Sequence, residues 1–107
     1  IARRNVGEAG LTDQVEFVLG DARETLSTIG DEFDFILLDC WDRIYPEILP
    51  KVVPLLRPGG LMTTDNVDIS EPGSIEFRRL LSAYAGIETT NVPIGTGGLE
   101  VSTKRDF

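Results

Sequence analysis

The run Phe33-Asp34-Phe35-Ile36-Leu37-Leu38-Asp39 and the later run Gly60-Leu61-Met62-Thr63-Thr64-Asp65-Asn66 decide the fold of this chain. Each is an apolar segment of strand length that ends in an acidic residue. A nearly continuous apolar run is typical of a strand that is covered on both faces, as in a parallel sheet. Ligands of open parallel sheets bind beyond the carboxyl ends of the strands. We therefore expect Asp39, Asp65 and Asn66 to face a common site.

The composition indicates one soluble globular domain, residues 1–107. Hydrophobic residues make up 41% and charged residues 26% of the chain, which argues against a disordered or membrane-spanning protein. No apolar run approaches the roughly 20 residues of a membrane helix, and no apolar segment of a signal peptide follows the basic residues near the N-terminus. Cys40 is the single cysteine, which excludes an internal disulfide and favours a cytoplasmic location.

The acidic balance of the chain limits its partners. The formal net charge is -8, whereas proteins that bind the nucleic-acid backbone do so with lysine and arginine, so nucleic acid is an unfavoured partner. Residues 31–50 contain six acids and one arginine. An acidic rim of this kind attracts cations, although a solvated surface is the commoner alternative.

Periodicity and turn residues predict an α/β fold. The predicted elements are, in chain order, a helix over residues 2–9 that ends at Gly10, a strand over 15–19, a helix capped by Asp21, a strand over 33–38, a helix over 45–56, a strand over 61–64, a helix capped by Ser74, and two strands over 87–92 and 99–103. Alternation of strands and helices predicts parallel strands between helices, and the last two strands predict an antiparallel hairpin.

The acidic residues at the strand ends are candidate metal ligands. Asp39, Asp65 and Asn66 supply hard oxygen atoms of the kind that magnesium prefers, and water or substrate would complete the shell. On spacing alone, however, the same residues are common turn formers, and this interpretation is favoured. The glycines of residues 95–98 are not followed by a helix, so they do not form a phosphate cradle.

Six segments of the sequence resemble the later part of a cation-dependent O-methyltransferase, the family that contains catechol O-methyltransferase and the caffeoyl-CoA O-methyltransferases. They are Ala9-Gly10-Leu11, Leu19-Gly20-Asp21-Ala22, Phe33-Asp34-Phe35-Ile36-Leu37-Leu38-Asp39, Leu55-Leu56-Arg57-Pro58-Gly59-Gly60, Asp65-Asn66-Val67 and Gly98-Leu99-Glu100. Their order and spacing match the family over essentially the whole chain. A Leu-Asp strand end followed by Asp-Asn-Val after the next strand is highly specific. The resemblance implies a partial Rossmann-like fold of S-adenosylmethionine-dependent methyltransferases.

The resemblance also implies roles for individual residues. Magnesium would be held by three of them and would bind two neighbouring oxygens of a small, catechol-like acceptor. The implied metal ligands are Asp39, Asp65 and Asn66; the implied residues of the S-adenosylmethionine site are Asp21, Ala22, Asp39 and Trp41; and Glu100 matches a carboxylate that contacts the acceptor. From the residues alone, two alternatives stay open: Trp41 in the core and Glu100 as a solvent-facing strand residue.

Two positions depart from the family pattern. Asp42 stands where the family has a lysine that serves as general base, so either Asp42 accepts the proton or the metal acts without a base; Asp42 as a helix N-cap is the alternative. The loop over residues 68–73 is longer than the family's, at a place where the family walls the acceptor pocket.

The resemblance further implies a truncated domain. The glycine-rich loop and the strands that hold the methionine part of the cofactor are absent before Ile1, so we expect this chain alone to bind S-adenosylmethionine weakly. Two alternatives to a small-molecule O-methyltransferase remain. One is an enzyme that methylates a hydroxylated tRNA base, which the acidic balance disfavours. The other is a non-catalytic domain that pairs with a second copy as a homodimer through an exposed strand edge.

Overall fold

The computed structural model describes residues 1–95 and 97–105 and contains four helices and four strands over these residues. In chain order they are α1 (Ala2–Glu8), α2 (Ala22–Thr25), β1 (Phe33–Leu38), α3 (Tyr45–Val52), β2 (Leu56–Thr64), α4 (Pro72–Ser82), β3 (Ile87–Ile94) and β4 (Gly97–Lys104). Short 3-10 turns span Thr12–Gln14, Leu26–Thr28, Asp42–Ile44 and Val53–Leu55. None of the described helices is long and apolar enough to cross a membrane.

The strands form one mixed sheet in the order β1-β2-β4-β3. β1 and β2 are parallel, with Leu38 opposite Thr64, so the two strands end side by side. β4 pairs antiparallel with both β2 and β3. The predicted α/β fold with a C-terminal antiparallel hairpin is therefore confirmed. Thr96, within the predicted hairpin loop, lies outside the described residues.

The core lies between one face of the sheet and helices α3 and α4. The buried face of α3 repeats at helical spacing through Tyr45, Ile48, Leu49 and Val52. The ring of Tyr45 packs on that of Phe77 from α4, with centroids 5.5 Å apart. Among residues 1–95 and 97–105, the buried apolar side chains are Leu38, Tyr45, Ile48, Leu49, Val52, Val53, Leu56, Met62, Val67, Phe77 and Leu81.

The opposite face of the sheet is open. On β1, alternate side chains Phe33, Phe35 and Leu37 point away from the core and are 40%, 54% and 58% exposed. The expectation that this strand is covered on both faces is therefore wrong for the described residues, because α3 and α4 pack on the other face only. β1 is also the outer strand of the sheet, so one of its edges has no strand partner in the described part of the chain.

Several local predictions differ from the structure. The strand predicted over residues 61–64 begins at Leu56. Residues 15–19 are extended but form no strand, since no described strand lies alongside to accept and donate backbone hydrogen bonds, and Leu19 is 94% exposed. The helix predicted to end near residue 56 ends at Val52, after which Val53–Leu55 continue as a 3-10 turn. Ser74 is not the N-cap of α4: Glu71 is, because Pro72 starts the helix.

Candidate active site at the ends of β1 and β2

Asp39 and Asp65 follow neighbouring strands that are tied together at their ends. The Asp65 N–H donates to the Leu38 carbonyl at 3.0 Å, which extends the ladder by one residue past β2. The Tyr45 hydroxyl donates to the Asp65 carbonyl at 2.9 Å and lies 3.4 Å from the Leu38 carbonyl. One buried phenol thus holds together the two backbone positions from which the carboxylates project.

The environment of Tyr45 keeps its hydroxyl protonated. Burial raises the pKa of Tyr45 to about 12, and the nearby charges of Asp39 and Asp65 act in the same direction. The hydroxyl is therefore a permanent hydrogen-bond donor at neutral pH. The sequence analysis places Tyr45 only at the start of a predicted helix.

Asn66 has the one positive φ angle, 57°, among the non-glycine residues of the described chain. Asparagine tolerates this left-handed conformation better than most residues. The turn directs the exposed Asn66 side chain toward the hairpin, and its Oδ1 atom lies 3.6 Å from the place where a Cβ would stand on Gly97. The next residue, Val67, is fully buried and its N–H donates to the Gly98 carbonyl at 2.9 Å.

A cleft of about 320 Å³ opens beside this turn. Its lining brings together three residues singled out from the sequence: Trp41, Asp42 and Asn66. Part of the predicted acceptor loop joins them at Asp68 and Glu71. The full lining is Cys40, Trp41, Asp42, Asn66, Asp68, Glu71, Ser74 and Gly97.

A second, mainly apolar cavity of about 260 Å³ is lined by residues of α2, β1 and α3 and by the residues that follow β1. Asp39 and Ala22 line it together with apolar side chains such as Leu26, Ile36 and Ile48. Cys40 lines both cavities. The structure therefore separates the candidate residues into two neighbouring groups, with Asp39 on one side and Asp42 with Asn66 on the other.

Trp41 and Asp42 lie at the surface of the cleft. Trp41 is 62% exposed, so the alternative that it is a core residue is wrong. The Arg43 guanidinium lies over its ring, 5.3 Å from the centroid, as in a cation–π contact. The N-cap of the Asp42–Ile44 turn is Trp41 and that of α3 is Ile44, so Asp42 caps neither and the N-cap alternative is wrong.

The loop after Asn66 is ordered by its own side chains. Asp68 Oδ1 accepts from the Ser70 N–H at 2.9 Å and from the Ser70 hydroxyl at 2.7 Å, and these bonds hold the pKa of Asp68 below its ordinary value. The Asp68 N–H donates to the buried Ser74 hydroxyl at 3.1 Å. The loop thereby forms a fixed wall of the cleft.

Asp21 is the N-cap of α2, as the sequence predicts. Its Oδ1 atom accepts from the Arg23 N–H at 2.9 Å and from Arg23 Nε at 3.0 Å. The hydrogen bond from the Arg23 side chain is the main reason that the pKa of Asp21 falls to about 2. The carboxylate is therefore ionised and engaged by Arg23.

Glu100 lies inside the protein and does not line the cleft. Its side chain is fully buried on β4, so the alternative of a solvent-facing strand residue is wrong. The carboxylate accepts from Arg78 Nε at 2.9 Å, from Asn91 Nδ2 at 3.0 Å and from the Thr89 hydroxyl. Sequence reasoning did not identify Arg78, Thr89 or Asn91.

The oxygen atoms at the strand ends fit a hard divalent cation by type. Two carboxylates, Asp39 and Asp65, flank the paired strand ends, and the Asn66 amide oxygen follows directly. Across residues 1–95 and 97–105, no three His, Cys, Asp or Glu side chains cluster as a metal site by themselves. A cation here would therefore depend on the Asn66 amide and on water or substrate oxygens.

Comparison with known proteins places the chain in a family. The family model described as O-methyltransferase matches residues 1–97. The chain belongs to the O-methyltransferase family. The resemblance found from the sequence is thus confirmed at the level of the family.

Individual O-methyltransferases and one other relative show the extent of the match. A catechol O-methyltransferase of Niastella koreensis is 31% identical over 106 residues, covering 84% of this chain and 48% of that protein. The aclacinomycin 10-hydroxylase RdmB of Streptomyces purpurascens is also 31% identical, over 97% of this chain and 31% of that protein. The structure of the O-methyltransferase from Bacillus cereus in complex with SAH has a TM-score of 0.84 and 26% identity, covering 97% of this chain and 56% of that one. The chain spans about half the length of the first relative and of this structure, and about a third of the second.

Proposed function

We propose that the protein containing this chain is a magnesium-dependent O-methyltransferase. It would transfer the methyl group of S-adenosylmethionine to a hydroxyl of a small, catechol-like acceptor. The observation that carries the proposal is the pairing of the ends of β1 and β2, which Asp39 and Asp65 directly follow. The next residue, Asn66, lines an open cleft. Family membership and a relative named catechol O-methyltransferase support the same reaction.

Each candidate residue has a distinct task in this reaction. Asp39, Asp65 and Asn66 would hold the cation, which when bound lowers the pKa of a coordinated hydroxyl. Asp42, exposed in the cleft, would accept the proton of the acceptor hydroxyl. The acceptor oxygen then forms a bond to the methyl carbon while the bond from that carbon to the sulfonium breaks, which releases S-adenosylhomocysteine.

The cofactor would lie on the Asp39 side of the strand ends. The cavity lined by Ala22, Asp39 and apolar side chains can accept an aromatic base, and Asp21 at the start of α2 flanks it. Trp41 is exposed in the cleft, next to Cys40, which lines both cavities, and its aromatic ring can lie against the cofactor. The B. cereus structure described as a complex with SAH supports a cofactor of this kind.

The first test is transfer of a tritiated methyl group from S-adenosylmethionine to catechol by the full-length protein. We expect product with Mg²⁺ and none with EDTA. Asp39→Asn and Asp65→Asn should each reduce the rate at least tenfold, since changes even to groups around a metal cost about 10-fold to 100-fold. Asp34→Asn is the matched control, because Asp34 is an exposed acid of β1 that pairs with Arg57 away from the site.

The same assay separates the competing interpretations. If Asp42 is the base, Asp42→Asn lowers the rate and removes the acidic limb of its pH profile, whereas a metal acting alone leaves both unchanged. Activity that persists in EDTA would contradict the metal requirement. One relative is named a hydroxylase, so family membership alone does not establish methyl transfer. Binding of S-adenosylmethionine without any methylated product would contradict the proposed reaction.

The second candidate is a non-catalytic domain that associates with itself. The exposed outer strand β1, with Phe33, Phe35 and Leu37 on its open face, favours this candidate. The two candidates differ in the residues that they require. Catalysis requires Asp39 and Asp65, whereas self-association through β1 does not.

A further inference from the structure

A buried amide connects Glu100 to the backbone that follows Asn66. Asn91 lies opposite Glu100 in the β3–β4 ladder. Its Nδ2 atom donates to Glu100 Oε1 at 3.0 Å and to the Val67 carbonyl at 2.8 Å. A side-chain amide nitrogen carries two hydrogens, so both bonds form at the same time.

The Glu100 carboxylate is well suited to hold this amide in place. It is fully buried and is neutralised by the Arg78 guanidinium, which lies 2.9 Å away and is partly exposed. The Thr89 hydroxyl donates to the second oxygen, Oε2. Hydrogen-bond donors on both oxygens fix the carboxylate in place. They also replace the water that a charged group loses on burial.

Val67 is held at every polar atom of its backbone. Its N–H donates to the Gly98 carbonyl at 2.9 Å, and its carbonyl accepts from Asn91. Gly98 permits this close approach, because a Cβ at that position would lie 2.4 Å from the Val67 oxygen. The Val67 side chain is also fully buried.

This fixed residue explains how the turn before it keeps an unfavourable conformation. A non-glycine residue in the left-handed region is disfavoured and persists only where its surroundings impose it. Asn66 has a φ of 57° and an exposed side chain. The restraint therefore comes from the backbone on either side of Asn66. Leu38 and Tyr45 hold Asp65, and Gly98 and Asn91 hold Val67.

We infer that Asn91, held by Glu100, is a positioning residue that fixes the turn at Asn66 and Val67 and so presents the Asn66 amide to the candidate metal site. Glu100 acts through Asn91, in contrast to the acceptor-contacting role that the family resemblance implies. The part that concerns the metal rests on the proposed function. The part that concerns the turn does not.

The test compares Asn91→Val with Thr89→Val in this chain. Both variants remove one hydrogen bond to Glu100, but only Asn91 also contacts Val67. Hydrogen exchange of the Val67 amide, followed by NMR, reports the turn without metal. We expect exchange at least tenfold faster in Asn91→Val and within twofold of the unmodified chain in Thr89→Val.

Binding of Mn²⁺, measured by electron paramagnetic resonance, reports the metal site. We expect affinity to fall about 10-fold to 100-fold in Asn91→Val, the range for residues that orient metal ligands, and to stay within twofold in Thr89→Val. If Asn91→Val does not fold, Asn91→Ser replaces it, because serine is too short to bridge the two acceptors.

The outcomes separate this inference from the proposed function. Equal Val67 exchange in both variants, or no change in Asn91→Val, overturns the positioning role. If Asn91→Val speeds exchange of the Val67 amide but leaves the Mn²⁺ affinity unchanged, Asn91 stabilises the turn only, and its role in positioning the metal ligand is overturned. Absence of Mn²⁺ binding by the unmodified chain overturns the metal site of the proposed function, while Val67 exchange still decides the role of Asn91 in the turn.

Discussion

At the scale of single residues, Tyr45 joins the core to the candidate site. Its ring packs on Phe77, and its hydroxyl donates to the Asp65 carbonyl. The hydroxyl lies on the far side of the ring from the helix backbone, so one side chain transmits the position of α3 to the end of β2. Removal of this hydroxyl should therefore affect stability mainly through its shorter bond, the one to Asp65.

Tyr45→Phe tests that bond. We expect a loss of about 1 kcal/mol in the free energy of unfolding at pH 7, measured with urea, because the Asp65 carbonyl loses its donor. Tyr84→Phe is the control for removal of a hydroxyl from a half-buried tyrosine. A loss as large in the control would show that the bond to Asp65 is not the cause.

The contribution of the Tyr45 hydroxyl to stability should depend on pH in a defined direction. The pKa of Tyr45 is raised from 10.0 to about 12 in the folded protein. The folded state therefore retains the proton more tightly, so this contribution to stability is present below pH 10 and is lost as the pH rises toward 12. The difference in the free energy of unfolding between the unmodified chain and Tyr45→Phe should therefore shrink between pH 10 and pH 12.

Sequence reasoning at this scale identified residues with local signatures. Asp39 and Asp65 stand directly after apolar runs, and Asp21 stands before a helix, so each is visible without long-range information. The roles of Tyr45 and Asn91 depend on partners 20 and 24 residues away in the chain. For Asn91 a weak signal existed, since asparagine is depleted in strands and here lies within one.

At the scale of elements, the pairing of β1 with β2 contains an irregular segment that precedes the strand ends at the candidate site. Pairing advances from Phe33 to Phe35 on β1 but from Leu56 to Leu61 on β2, so residues 57–60 bulge out of the ladder. The Pro-Gly-Gly sequence lies within this segment of β2, and the pairing with β1 resumes directly after Gly60. The register of the two strand ends depends on this bulge.

Gly60→Ala tests the bulge. An alanine Cβ would lie 2.7 Å from the Arg57 carbonyl and 3.1 Å from the Asp34 carbonyl, and both are backbone atoms that cannot move freely. We expect a loss of about 1–3 kcal/mol in the free energy of unfolding, measured with urea, as for an overpacked site.

Gly30→Ala is the matched control, because nothing lies within 4 Å of its added Cβ. It should be neutral or slightly stabilising. Equal stability of the two variants would contradict the requirement for glycine in the bulge.

Two of the wrong predictions concern segments without a partner. Residues 15–19 have the composition of a strand, and composition does not reveal whether another strand lies beside it. For β1, the pattern predicted cover on both faces, yet α3 and α4 cover only one. Pattern reports which side chains avoid water, not which element shields them.

At the scale of the whole molecule, net charge and exposed apolar surface have opposite effects on the association of two copies of the chain. The net charge of -8 opposes contact between two copies. The outer edge of β1 and its exposed side chains Phe33, Phe35 and Leu37 favour it, because an unpaired strand edge can extend its ladder with a second chain. The balance between these forces depends on ionic strength.

Self-association through β1 therefore predicts a salt-dependent dimer. Size-exclusion chromatography with light scattering should show a dimer fraction that rises as salt screens the repulsion, since the screening length falls from about 10 Å at 0.1 M to about 3 Å at 1 M salt. Phe35→Lys should return the chain to monomer, because a lysine on a strand edge opposes pairing. Ile75→Lys, at an exposed position of α4 away from β1, should leave the dimer intact. A monomeric mass at every salt concentration would rule out the non-catalytic, self-associating candidate, because that candidate requires a second copy to cover β1.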